Sequence, residues 1–132
     1  MSMSNAFLRL GVVFALIGVG LGYWMGASQQ FTASPVHAHI NLLGWVSMFL
    51  YGLFYRAFPA AAAGWLARAH LGLSVLGLLI FMPALAIKLL HVESLLGLAE
   101  PGLMAGPTLV LLGMICFAAI VLGATGKSTR TA

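Results

Sequence analysis

Four apolar runs, at about 6–27, 36–58, 66–90 and 102–124, occupy most of this chain. Each matches the ~20 residues that a helix needs to cross the hydrocarbon of a bilayer. The stretches between them carry turn residues, as in "ASQQFTASP", "PAAAAG" and "HVESLLGLAEPG". A water-soluble alternative would need a polar surface. With 62% hydrophobic and 6% charged residues, the chain has too few charges to supply one. The expected fold is therefore all-α: one membrane domain of four transmembrane helices over residues 1–132, with no soluble domain. The first run is longer than the apolar part of a signal peptide. Its Gly18, Gly22 and Gly26 form small-xxx-small steps suited to close helix packing, so it is read as a spanning helix.

Basic residues fix an orientation. Arg9 lies at the start of the first run, Arg56 and Arg68 flank the turn between the second and third, and Lys127 and Arg130 follow the fourth. If the helices alternate, all five fall on one side, and Lys88, Glu93 and Glu100 fall on the other. The positive-inside rule then places both termini in the cytoplasm and the start of the second run near the outer face of what is read as a bacterial inner membrane. The net charge of +4 reflects this bias and calls for no nucleic-acid partner; the expected surroundings are membrane lipid. Cys116, mid-way along the fourth run, is read as a small buried apolar residue.

One stretch breaks the apolar pattern: "SPVHAHINLLGW", residues 34–45. Ser34 suits an N-cap and Pro35 the first helical turn, so His37 and His39 are expected to be helical. Residues two apart on an α-helix point about 200° apart, so the two imidazoles leave opposite flanks and cannot share one metal ion. Buried imidazoles in a membrane need partners. Two readings stand side by side: each histidine ligates a haem iron, or each bonds a backbone carbonyl or lipid headgroup. Along the His37 flank follow Asn41, Gly44, Met48 and Tyr51, where Gly44 admits close approach by a flat macrocycle or another helix. Along the His39 flank follow Leu43, Val46, Leu50 and Leu53. His91 lies at the same membrane level as the pair and is a candidate for an outer-side metal site. His70, beside Arg68 on the opposite side, is expected to meet a headgroup or carbonyl. Covalent c-type haem is excluded, because C-x-x-C-H is absent.

The run "HAHINLLGWVSMFLYGLFYRAFP", residues 37–59, resembles two segments of the catalytic subunit of haem-copper oxidases and their nitric oxide reductase relatives. One is a tenth helix that begins His-x-His and runs through glycines and aromatics to an aromatic-Pro end. The other is the second helix of the reductase branch, whose His-x-Asn-Leu-Leu is matched by His39, Ile40, Asn41, Leu42 and Leu43. The resemblance covers about 23 residues of this chain. It implies a subunit of twelve helices in three arcs of four, in which equivalent helices supply haem and copper ligands. Four helices make one arc, so the implied assembly is a homotrimer, with a dimer as the alternative. His37 of one copy and His39 of the next would be axial ligands of one haem b, with Asn41 and Gly44 beside it. Lys88, Gln29, Gln30 and Thr32 would lie at the level of the propionates. The family's adjacent His-His pair is missing, which makes copper unlikely.

Bis-histidine iron has no open coordination position, which favours electron transfer over gas chemistry. The leading expectation is thus a haem b membrane protein passing electrons, with a quinol or a redox protein as partner. Two alternatives are a minimal oxidase or nitric oxide reductase-like enzyme with an open haem iron, and a non-haem metal-binding or structural module.

Overall fold

The computed structural model describes residues 2–128, and every regular element within them is helical. Helix α1 (Met3–Ser28) is followed by α2 (Ser34–His39), a π-helical stretch (Ile40–Ser47) and α3 (Met48–Ala57), which join end to end as one rod over 34–57. A 3₁₀ turn (Pro59–Ala62) leads to α4 (Trp65–Leu89), and a second (Glu93–Leu95) leads to α5 (Leu96–Ser128). Among the described residues, three stretches are long and apolar enough to cross a membrane: Met3–Ser28, Trp65–Leu89 and Glu93–Gly126. The second rod is the remaining expected run, 36–58, divided into pieces of six, eight and ten residues. Large apolar side chains cover the outside, among them Leu16 at 72% and Leu122 at 73% exposure, as suits a surface bathed in lipid rather than water.

Several boundaries differ from expectation, each for a local reason. Helix α2 begins one residue early: Ala33 is its N-cap, and the Ser34 hydroxyl turns back to donate to the Phe31 carbonyl at 2.7 Å. The stretch expected to be a linker, "HVESLLGLAEPG", is helical from Leu96 onward, and α5 continues through Pro101 and Pro107. Proline removes one N–H and crowds one carbonyl per site, and a helix of 33 residues has enough remaining bonds to absorb that. Helix α4 likewise runs unbroken through Pro83. Arg130 lies outside the described residues.

Glycines set how the rods pair. Helix α1 lies antiparallel to the second rod, and each makes room for the other. A methyl group on Gly18 would stand 2.6 Å from Asn41 Oδ1, and one on Gly22 would stand 2.7 Å from His37 Cε1. In return, Phe14 sits against Gly44, and Leu8 against Gly52. Helices α4 and α5 form a second antiparallel pair on the same principle, with Val110 against Gly77 and Phe81 against Gly106. Lipid gives helices no hydrophobic reason to associate, so such close van der Waals seams hold them together. The two pairs meet in an aromatic cluster that draws on all four rods: Phe7 from α1, Tyr51 and Tyr55 from α3, His70 from α4 and Phe117 from α5. This arrangement brings Arg9, Arg56 and Arg68 to one end of the bundle, the arginine end, and leaves His37, His39 and Lys88 at the other.

The seam makes a paired prediction. Gly18→Ala should destabilise the bundle by about 1–3 kcal/mol through overpacking. Gly20 has no neighbour within 4 Å of where a Cβ would stand, so Gly20→Ala should instead add roughly 0.5–1 kcal/mol by removing backbone freedom from the unfolded chain. Unfolding of both variants in detergent micelles, followed by circular dichroism, separates the two signs.

Candidate functional site: two anchored imidazoles and a buried histidine-tyrosine pair

His37 and His39 do diverge, and each ring faces a different helix of the same chain. His37 points to α1, where its Nδ1 lies 2.8 Å from the carbonyl of Gly18. His39 points toward α4, its ring standing edge-on to Phe81 with centroids 5.1 Å apart. Its Nδ1 lies 2.7 Å from the Pro35 carbonyl, one turn earlier. A carbonyl only accepts hydrogen bonds, so in both residues Nδ1 carries the proton and donates it. In the neutral ring the lone pair then belongs to Nε2. Neither Nε2 has a hydrogen-bond partner among the described residues, and both rings are half-buried.

Asn41 holds His37 rather than facing a separate ligand. Its amide nitrogen is 3.2 Å from His37 Nδ1 and 2.9 Å from the His37 carbonyl. Because Nδ1 is itself a donor here, the amide donates to the carbonyl. Gly44 is buried beneath the Phe14 ring, so the close approach expected there is made by a helix, and no room for a flat macrocycle is left at that position. The remainder of the His37 stripe, Met48 and Tyr51, is buried as well, whereas Val46, Leu50 and Leu53 face outward.

The π-helical stretch starts directly after His39. Its wide turns leave backbone groups less tightly matched, and the Ser47 hydroxyl donates to the Leu42 carbonyl five residues back at 2.8 Å. Such segments are rare and concentrate at functional positions. Nothing in the residue types "INLLGWVS" marks one beforehand.

His91 has a structural role. It sits in the left-handed region at φ 51°, directly after Leu90, the C-cap of α4, and the Val92 N–H reaches back to the Ile87 carbonyl at 3.1 Å. That is the Schellman geometry, in which the left-handed position is usually glycine. The side chain is exposed. No group of three or more His, Cys, Asp or Glu side chains placed to hold a metal ion is found among the described residues. Of the residues expected near the propionates, Gln29 caps α1 in the left-handed region at φ 57°. Lys88 makes an exposed ion pair with Glu100 at 3.7 Å.

His70 is the residue whose place sequence reasoning misjudged. It was expected at the interface against a headgroup or carbonyl; instead it is fully buried in the aromatic cluster and bonded to a side chain. The Tyr55 hydroxyl lies 2.9 Å from His70 Nδ1. Phe7 and Phe117 lie over the imidazole with centroids 4.9 and 5.0 Å away, and Tyr51 stands at 74° to it at 4.5 Å. With Tyr55 donating, the ring proton sits on Nε2, which is buried with no hydrogen-bond partner. Its polar hydrogen is left to the surrounding π-faces.

No protein-family model, curated protein or solved structure matches the chain.

Two measurements probe these placements. Tyr55→Phe leaves His70 Nδ1 buried and unpaired and should cost about 1–3 kcal/mol. Adding His70→Phe should recover part of that, giving a coupling of roughly 0.6–1.7 kcal/mol in a double-mutant cycle; strictly additive effects would show that the bond contributes nothing. For His91, substitution by glycine relieves the left-handed strain and should raise stability by about 1 kcal/mol, read as an upward shift in Tm.

Proposed function

We propose that this chain is a haem b-binding integral membrane protein that transfers electrons, with His37 and His39 as axial ligands contributed to different irons. The observation that carries this reading is the tethering of both imidazoles. Each Nδ1 donates to a backbone carbonyl, Gly18 for His37 and Pro35 for His39. This is the arrangement that fixes ring orientation and presents a basic Nε2 to a metal. Imidazole nitrogen is a preferred ligand for haem iron, so the donor set fits the group. The resemblance of residues 37–59 to haem-copper oxidase helices supports the same assignment.

The chain's own residues would do two things. Gly18 and Pro35 hold the tautomers, and Asn41 ties the turn that begins at His37 by bonding the His37 carbonyl. Opposite orientation of the rings, toward α1 and toward α4, means that one chain does not offer both ligands to one iron. Two copies are therefore needed for a bis-histidine site, which favours a homotrimer with a shared site at each joint, or a homodimer. A haem held by two histidines supplies one-electron transfer without an open position for a gas. The arginine end would face the cytoplasm by the positive-inside rule, setting the histidine end near the outer face, where a quinol or a redox protein would exchange electrons.

The purified protein should show a Soret band and a reduced-minus-oxidised spectrum of low-spin haem b that carbon monoxide does not alter. His37→Ala and His39→Ala should each lose the haem. Co-expression of the two variants tests sharing directly: mixed oligomers contain joints with one intact histidine from each copy and should regain a fraction of the haem. Carbon monoxide binding to the reduced protein would favour the open-iron enzyme. Absence of a Soret band, combined with destabilisation by His37→Ala, would favour a structural clamp, a reading that the close fit of His37 against Gly22 also supports.

A further inference from the structure

Where α1 and α4 diverge at the arginine end they leave a groove of about 590 Å³. Its two basic members are Arg9 on α1 and Arg68 on α4, both exposed. The remainder of its wall is apolar, formed by side chains such as Leu10, Leu71 and Val75. At Gly72, also on the wall, no atom lies within 4 Å of where a side chain would begin. Thus the groove has guanidinium groups from two helices and an uninterrupted oily wall, and no acidic residue lines it.

We propose that this groove binds an anionic phospholipid, with its phosphate against Arg9 and Arg68 and an acyl chain along α1 and α4. Guanidinium groups offer planar N–H donors that match phosphate oxygens. Basic pockets between membrane helices select anionic headgroups over zwitterionic ones, because no compensating cation accompanies the phosphate. The apolar wall selects for the tail. A soluble phosphate would gain the arginines and lose the wall, while a neutral lipid would gain the wall alone. Only an amphiphile with net negative charge uses both.

The test is retention of lipid by the full-length protein in detergent, counted by native mass spectrometry with phosphatidylglycerol and phosphatidylcholine competing. Wild type should retain phosphatidylglycerol preferentially. Each of Arg9→Gln and Arg68→Gln should lower that preference roughly fivefold, the ratio expected for one basic residue at a membrane surface. Gly72→Leu projects into open groove and so should leave folding intact while displacing the lipid; circular dichroism checks the fold of every variant. Soluble glycerol phosphate should not displace phosphatidylglycerol. The proposal is overturned if wild type shows no preference between the two lipids. It also fails if the double arginine variant retains phosphatidylglycerol as wild type does, if Gly72→Leu folds and still holds it, or if glycerol phosphate displaces it.

Discussion

Inside a bilayer a side-chain N–H or O–H finds no water, so each one introduced into these helices has to find an acceptor within the protein. Most of them use a helix carbonyl. Ser4 donates to Gly52 across the first seam, and Thr108 and Thr125 each donate one turn back along α5. His37, His39, Asn41 and Ser47 do the same around the start of the second rod. The glycine seam of the first pair makes the two crossing bonds possible, because a carbonyl on one helix is reachable from the next only where the backbones come close. Gly18 shows both effects at once: its missing side chain admits Asn41, and its carbonyl holds His37.

His70 departs from that pattern and is informative for it. Its partner is a tyrosine rather than a carbonyl, and its second nitrogen is left among aromatic rings. A hydrophobic residue would fill the same space without leaving a buried ring nitrogen unpaired. The rings that surround it belong to α1, α3 and α5, so this one imidazole, itself on α4, links all the rods of the two helix pairs. Phe81 makes the corresponding link at the histidine end, set against His39 from α4.

Much of the plan was legible because it depends on length and on charge. Four apolar runs with short turns specify four rods, and arginine placement puts Arg9, Arg56 and Arg68 at one end. The divergence of His37 and His39 was also legible, being a matter of local helical angle that needs no knowledge of neighbours. What was hidden depends on contrast that an apolar chain does not carry. Helix α4 is hydrophobic on all sides, so nothing in its pattern tells which face turns inward, and His70 was placed at the interface by its nearness to Arg68. The glycine left-handed cap was hidden at His91 because histidine stands where glycine is usual. Pro101, with Gly97 and Gly102 near it, made the start of α5 read as linker, although a long helix in lipid tolerates it.

The wide turns of residues 40–47 separate two parts of one rod that do different things: the tethered imidazoles before them and the aromatic cluster after them. In a uniform α-helix the angle between those parts would be set by the number of residues alone. Wide turns uncouple the two, since spacing and azimuth are adjusted there by exchanging one hydrogen-bond pattern for another. That segment is itself pinned to α1, by Asn41 against Gly18 and by Gly44 beneath Phe14, so the aim of the histidine end relative to the Tyr55–His70 pair is set where the rod is held most closely.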